Sequence, residues 1–333
     1  MAAEELVLDE GVLEDARVCE FQGMQAVRRC GGLSVLSWRA DWHKAEAYEL
    51  RSVSSGSQLQ DARFAQCLVH LQKSRPATWQ DLGHAWAHLE PGGRLLFCGG
   101  NELGITSAVK RLAEQLGQKP QIVSNRRRAR IVAFERDAGE GPLVPESDHF
   151  QVPQTTEPGF SLRADPGVFS TRRLDPGSEL LLETLADRAP AQRILDLGCG
   201  AGPLGLSALR RWPDATGLLL DGDARAVKCA SDNAAALGLS ARCQVEWWDI
   251  REPVPMAEFD LVLINPPFHG GKEVDLGPAH AMFEAARLAL APDGQALIVA
   301  NRTLPYERSL RELGTLEILE DTRTFKVLSL QVS

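Results

Sequence analysis

The chain has 333 residues, 44% of them hydrophobic and 24% charged, and a net charge of −9 at pH 7. That length gives two domains with a core each, and that composition excludes disorder; no apolar run approaches the ~18 residues that a membrane-spanning helix needs. The acidity excludes a protein that holds nucleic acid by bulk electrostatics, so any contact with phosphates has to be local.

The start, Met1-Ala2-Ala3-Glu4-Glu5, is acidic and lacks an apolar core, so it is no secretory signal and a cytoplasmic protein is expected. The seven cysteines (Cys19, Cys30, Cys67, Cys98, Cys199, Cys229, Cys243) include no Cys-x-x-Cys pair, which points to neither a disulfide framework nor a zinc site. Residues 1 to about 60 give weak α/β signals. The run from Cys67 to Leu71 then reads as a strand, and apolar residues at Trp79, Leu82, Trp86 and Leu89 recur at helical spacing until Pro91-Gly92-Gly93. A strand from Arg94 to Cys98 and a helix from about Ile105 to Leu116 follow. Asp137 to Gly159, rich in Gly, Pro, Glu and Asp, reads as a linker. Just before it stands Arg126-Arg127-Arg128-Ala129-Arg130, either a solvated face or a contact for RNA phosphates.

Beyond the linker, Arg193 to Gly205 reads as a strand, a glycine-rich turn and a helix start, which together present backbone N–H groups to a ligand. A dinucleotide turn would carry a glycine where Pro203 stands. Asp196, two residues before Gly198, suits the ammonium of a methionine moiety better than a pyrophosphate. Asp221 closes the next strand about twenty residues on, where a ribose diol would lie, with Asp223 as the alternative. Asp249 follows the strand from Cys243 to Trp248, placed for an adenine amine.

The apolar run Phe259 to Ile264 reads as a strand buried on both faces, and Asn265-Pro266-Pro267-Phe268-His269 closes it. A nucleobase amine has its lone pair delocalised into the ring and is a poor nucleophile. The Asn265 side-chain oxygen and the Pro266 carbonyl could accept its two N–H bonds and aim the nitrogen, with Phe268 stacking on the base. Upstream, the first half repeats the element order of the second, with Gln72-Lys73-Ser74-Arg75 in place of Asn-Pro-Pro-Phe and no glycine-rich turn. It is expected to lack catalysis.

From Gly167-Val168-Phe169-Ser170 through Leu174-Asp175-Pro176-Gly177-Ser178, Asp196 to Pro203, Asn265 to His269, Ala300-Asn301-Arg302 and Leu304-Pro305-Tyr306 to Phe325-Lys326-Val327-Leu328, the chain resembles the bacterial ribosomal RNA guanine-N2 methyltransferases. Leu71-Gln72-Lys73-Ser74 and Gly104-Ile105-Thr106-Ser107 resemble that family's degenerate N-terminal domain. The resemblance implies two tandem Rossmann-like class I methyltransferase domains, each with a mostly parallel sheet and an antiparallel last strand. Residues 1–150 would be degenerate and support RNA, and 151–333 would be catalytic. It implies S-adenosylmethionine as cofactor, methylation of a guanine N2 in ribosomal RNA with the small subunit favoured, and RNA or a ribosomal subunit as partner, with no membrane, no metal and a monomeric chain.

On this reading Phe169, Asp175 and Gly177 close over the cofactor. Asp196, Gly198, Gly200 and Gly202 hold its methionine end, Asp221 its ribose and Asp249 its adenine. Asn265, Pro266 and Phe268 take the guanine, Asn265 also lining the cofactor site. Lys73, Arg75, Arg126, Arg127, Arg128 and Arg130 are the candidates for RNA phosphates. Methyltransferases of adenine N6 or of protein glutamine also use Asn-Pro-Pro and an aromatic, more often Tyr; Phe268-His269 and the duplicated first half disfavour them. A large-subunit guanine enzyme is the nearer alternative. A non-catalytic RNA-binding assembly factor is the alternative of another class, and the intact glycines and Asn265 argue against it.

Overall fold

The structure, a computed structural model, describes residues 17–137, 139, 141–144, 147–152, 159–170, 172–267 and 276–332. The chain separates into two units, residues 1–146 and 147–333. The first contains β1 (Val18–Phe21), α1 (Gln25–Cys30), β2 (Leu33–Val35), α2 (Arg39–Ala47), β3 (Ser52–Val53), β4 (Phe64–His70), α3 (Arg75–His88), β5 (Leu89–Gly100), α4 (Ile105–Leu116), β6 (Gln121–Arg126) and β7 (Ala129–Glu135). Its sheet runs β3-β2-β1-β4-β5-β7-β6, and β7 is antiparallel to both neighbours. β4 and the second half of β5 are buried on both faces, which is why they read as continuous apolar runs. β1, β2 and β3 have only 4, 3 and 2 residues, too few to establish a period, and this accounts for the weak signal before residue 60.

The second unit contains β8 (Asp148–Val152), β9 (Phe160–Ala164), α5 (Pro176–Ala186), β10 (Arg193–Leu197), α6 (Pro203–Arg211), β11 (Thr216–Asp221), α7 (Ala224–Ala236), β12 (Cys243–Trp247), β13 (Phe259–Ile264), α8 (Gly277–Ala289), β14 (Leu290–Asn301), α9 (Tyr306–Leu313), β15 (Thr315–Asp321) and β16 (Phe325–Gln331). Its sheet order, β12-β11-β10-β13-β14-β16-β15, repeats that of the first unit strand for strand. The fold is thus two Rossmann-like α/β sheets in tandem, and the last strand, β16, is antiparallel as expected. Each sheet face carries its own apolar core, one around Leu206, Leu219, Leu263 and Leu297, the other around Val262, Phe283, Ile298 and Leu310.

Two expectations need correction. The segment read as a linker contains β8, which pairs antiparallel with β9 and buries Phe150 and Val152 beside Phe160 and Leu162. Two alternating apolar residues were outweighed by the Gly and Pro around them. The second correction concerns the repeat. In the second unit Phe259 pairs with Leu290, Val262 with Leu195, and Leu263 with Asp196; in the first, Phe64 pairs with Leu89, Cys67 with Cys19, and Leu68 with Glu20. These registers make His70 the counterpart of Asn265 and Glu20 that of Asp196. His70-Leu71-Gln72, not Gln72-Lys73-Ser74-Arg75, therefore stands where Asn265-Pro266-Pro267 does.

The first unit's sheet edge is filled by its own side chains. Glu20, 1% exposed, accepts from the Ala26 and Val27 N–H groups at 2.9 and 3.1 Å through one oxygen and meets His70 Nε2 at 2.8 Å through the other. The β1–α1 turn is Gln22-Gly23-Met24, against Gly198 to Gly202 in the second unit. A Cβ on Gly23 would lie 2.5 Å from Glu20 Oε1 and 2.5 Å from His70 Nε2. Gln22 and Gln72 both donate to Asp81 Oδ2, at 3.2 and 2.6 Å.

Candidate active site

In the second sheet the strand order reverses at β10, whose neighbours β11 and β13 are followed outward by β12 and β14. Ligands of open α/β sheets bind at the carboxyl ends of the strands at such a point. The glycine turn leaves β10 there and Asn265 leaves β13. Gly198, Gly200 and Gly202 have φ of +74°, +56° and +89°, which side-chain-bearing residues rarely adopt. The Gly198 and Cys199 N–H groups donate to the Leu220 carbonyl at 2.8 and 3.0 Å, and buried Asn233 ties the turn to β9 by donating to the carbonyls of Ala201 and Arg163, both at 2.9 Å. A Cβ on Gly200 would meet no atom within 4 Å, so the turn faces open space there.

Asp196 is 1% exposed, and its Oδ2 accepts from the Gly205 N–H at 2.8 Å while Oδ1 is buried with no partner. Burial, with a smaller push from the Asp221 charge, raises its pKa from 3.8 to about 7 against the pull of the Gly205 hydrogen bond. The folded value lies above the unfolded one, so folding takes up a proton between about pH 4 and 7, and stability falls as pH rises through that window, by roughly 4 kcal/mol. Asp196→Asn is therefore expected to raise the melting temperature of the ligand-free protein at pH 8 and leave it nearly unchanged at pH 4. Thermal unfolding across that range checks this, and equal shifts at both ends would contradict it.

Asp221 accepts from the Gly200 N–H at 2.9 Å and from the Asp223 N–H at 2.8 Å, one on each oxygen, and burial lifts its pKa from 3.8 to about 6. It thereby holds the glycine turn. Asp223 caps α7 through the Arg225 N–H at 3.0 Å and pairs with the Arg225 guanidinium at 2.7 Å. Asp249 is 5% exposed, and its carboxylate accepts from the Arg251 backbone N–H at 3.0 Å and is forked by the exposed Arg251 guanidinium.

Asn265 Nδ2 donates to Asp175 Oδ2 at 3.0 Å and to Ser178 Oγ at 2.9 Å. Both of its N–H bonds are thus used, and its carbonyl oxygen remains as an acceptor. Asp175 also caps α5, accepting from the Ser178 N–H at 3.0 Å, and a Cβ on Gly177 would press on Asp175 Oδ2 at 3.0 Å and Phe325 at 3.2 Å. Pro266 is buried and Pro267 exposed. Phe268 and His269 lie outside the described residues. Phe169, in the turns between β9 and α5, is 68% exposed. Ser178 was not foreseen from sequence; its signal was Asp175-Pro176-Gly177-Ser178, a helix start that puts Ser178 beside its own cap.

In the first unit, Arg126, Arg127 and Arg128 are exposed at the β6–β7 hairpin tip, and Arg130 is half-buried. Arg127 and Arg128 have φ of +55° and +57°, the left-handed pair that a two-residue hairpin turn requires and that Asn-Gly ordinarily fills. Lys73 is exposed, whereas Arg75 donates to the carbonyls of Leu103 and Gly104 and so is spent on the turn before α4. Residues 17–137 hold 18 Lys and Arg against 11 Asp and Glu, and residues 138–333 hold 18 against 28, so the acidity lies outside the first unit's folded part. Among the described residues no group of three His, Cys, Asp or Glu could hold a metal ion, and no helix is long and apolar enough to cross a membrane.

Residues 159–329 match the Methyltransferase small domain family, and residues 24–138 match the Methyltransferase small domain N-terminal family. A ribosomal RNA small subunit methyltransferase C from Stutzerimonas stutzeri is 32% identical over 336 residues, covering 97% of each chain. One from Pseudomonas entomophila is 33% identical over 294 residues, 86% of each chain. Among solved structures, a 16S rRNA N2 methyltransferase of T. thermophilus in complex with AdoMet and guanosine has a TM-score of 0.88 at 24% identity, covering 100% of this chain and 92% of that one, and it shares the fold throughout. With a glycine turn and Asn-Pro-Pro at one sheet edge and relatives matched along nearly its whole length, the chain belongs to the ribosomal RNA small subunit methyltransferase C family.

Proposed function

We propose that the second unit transfers a methyl group from S-adenosylmethionine to the exocyclic N2 amine of a guanine in small-subunit ribosomal RNA. The observation that carries this reading is the state of Asn265, whose two N–H bonds are spent on Asp175 and Ser178 so that its oxygen is left to accept. Family membership supports the substrate.

The residues fit the cofactor: the turn has an open face at Gly200, and Asp196 keeps a buried carboxylate oxygen without a partner. We assign the methionine end to Asp196 and Gly198 to Gly202, the ribose to Asp221, and the adenine amine to Asp249, with Arg251 giving up part of its pairing. To Phe169, Asp175 and Gly177 we assign closure over the same cofactor. When bound, S-adenosylmethionine supplies an electrophilic methyl on a positively charged sulfur. The target base is turned out of its stack. The Asn265 oxygen and Pro266 carbonyl hold its two N–H bonds and aim the nitrogen, while Phe268 stacks on the ring. No strong base is needed, since the methylated aminium is acidic and its proton can pass to water. Orientation is the protein's main contribution, and in-line alignment supplies several kcal/mol, up to ~7 to 11 in favourable cases.

The first unit, on this reading, is a methyltransferase fold retired from chemistry that holds RNA. Arg126, Arg127, Arg128 and Arg130 with Lys73 meet phosphates, which offsets the acidity of the rest of the chain.

Incubating the protein with S-adenosylmethionine and small subunits from a strain lacking the enzyme, then mapping modified nucleotides by mass spectrometry, is expected to give N2-methylguanine. Methylation at adenine N6 or on protein glutamine, or none, overturns the reading. Asp221→Ala is expected to weaken cofactor binding by about 1 to 3 kcal/mol in titration calorimetry. Asp223→Ala is expected instead to cost about 1 kcal/mol of stability through the lost α7 cap. An affinity loss that follows Asp223 would show the ribose acid to be misassigned.

A further inference from the structure

Asn265 is useful as an acceptor only if its amide points the right way, and the amide group is nearly symmetric in shape. Nothing in the Asn-Pro-Pro sequence decides between oxygen out and nitrogen out. The decision lies on another element, at the first turn of α5. Asp175 Oδ2, 3.0 Å from Asn265 Nδ2, is an acceptor when ionised, so a flipped amide would set oxygen against oxygen. Ser178 Oγ takes the second N–H at 2.9 Å. The same Asp175 oxygen accepts the Ser178 backbone N–H at 3.0 Å, which fixes the carboxylate and the hydroxyl relative to one another. Ser178 is 4% exposed, so water does not compete freely for its hydroxyl. Gly177 keeps the approach open, because a Cβ there would come within 3.0 Å of Asp175 Oδ2.

We propose that Asp175 and Ser178 are positioning residues that lock the Asn265 amide with its oxygen toward the nucleobase amine. This rests on the reading of Asn265 as the acceptor. It gives Asp175 a part in the chemical step distinct from closing over the cofactor, and it brings in Ser178, which acts through Asn265. The lock makes the site selective for amines, since a flipped amide would offer N–H groups to a base oxygen or ring nitrogen instead.

The test is a mutant cycle on the full-length enzyme, reading single-turnover methylation and S-adenosylmethionine affinity separately. Ser178→Ala is expected to slow methylation about fivefold, the size of one lost hydrogen bond, with cofactor affinity within twofold of the parent. Asp175→Ser keeps a good helix cap while withdrawing the carboxylate from Asn265, and combined with Ser178→Ala it is expected to slow methylation tenfold or more. In an Asn265→Ala background neither change is expected to slow it further, because nothing is left to orient. Thermal unfolding verifies that each variant is folded. A slow Asn265→Ala with undiminished Ser178→Ala and Asp175→Ser effects on top of it overturns the lock and leaves the acceptor reading standing. Wild-type turnover in Asn265→Ala overturns both. A rate loss in Asp175→Ser that disappears at saturating S-adenosylmethionine belongs to the cofactor contact alone and also overturns the lock.

Discussion

Asn265→Ala is expected to lower the rate of methyl transfer about 100- to 1000-fold while leaving S-adenosylmethionine affinity within about twofold, the scale seen when one positioned hydrogen-bonding group is removed from a dry site. The asymmetry follows from placement. Asn265 ends β13, and its amide is held by α5, whereas the glycine turn and Asp221 sit on the other side of β10 and are tied to each other by the Gly200 hydrogen bond of 2.9 Å. Losing the amide removes an acceptor from the amine and leaves that turn intact, so the defect belongs in the rate of the bound complex. Equal loss of rate and cofactor affinity would move Asn265 into the cofactor's own contacts.

The second large effect is expected at the β6–β7 hairpin. Replacing Arg126, Arg127 and Arg128 with Ala is expected to weaken ribosomal RNA binding at least tenfold and to reduce the slope of log affinity against log salt by about 2 to 3, close to one for each phosphate no longer neutralised. Arg127 and Arg128 hold left-handed backbone conformations that cost roughly 1 kcal/mol or more each for residues with a Cβ. Replacing both with glycine is therefore expected to stabilise the first unit while still weakening RNA binding. A stable glycine variant with unchanged affinity and salt slope would reduce the cluster to a solvated turn.

Much of the second unit was legible because β10, β11 and β13 are largely buried on both faces and each leads into residues with a chemical signature of their own. Gly198, Gly200 and Gly202 stand out because they alone suit positive φ, and Asn265-Pro266 stands out because proline ends a strand abruptly. Ser178 was not legible. A serine in a helical first turn is ordinary, and only the approach of β13 to α5 gives it a partner 87 positions away. Asp223 was a fair rival to Asp221 on spacing, yet it pairs with Arg225 and caps α7, interactions of two residues' span that a strand-end argument does not weigh. The repeat was visible in Pro91-Gly92-Gly93 within β5 and Pro292-Asp293-Gly294 within β14, but its alignment slipped by two residues. Sequence offers no ladder to count along, whereas the Phe64–Leu89 and Phe259–Leu290 pairings do.

The short β1–α1 turn also bears on the history of the duplication. Gln22-Gly23-Met24 spans what Gly198 to Gly202 spans in the other unit, and Glu20 and His70 lie against it. No single amino-acid replacement restores the missing backbone, and restoring the backbone first would drive it into a buried carboxylate and imidazole. Both added residues and side-chain clearance would be needed. A second site of the same kind in the first unit is therefore more than one replacement away from this sequence.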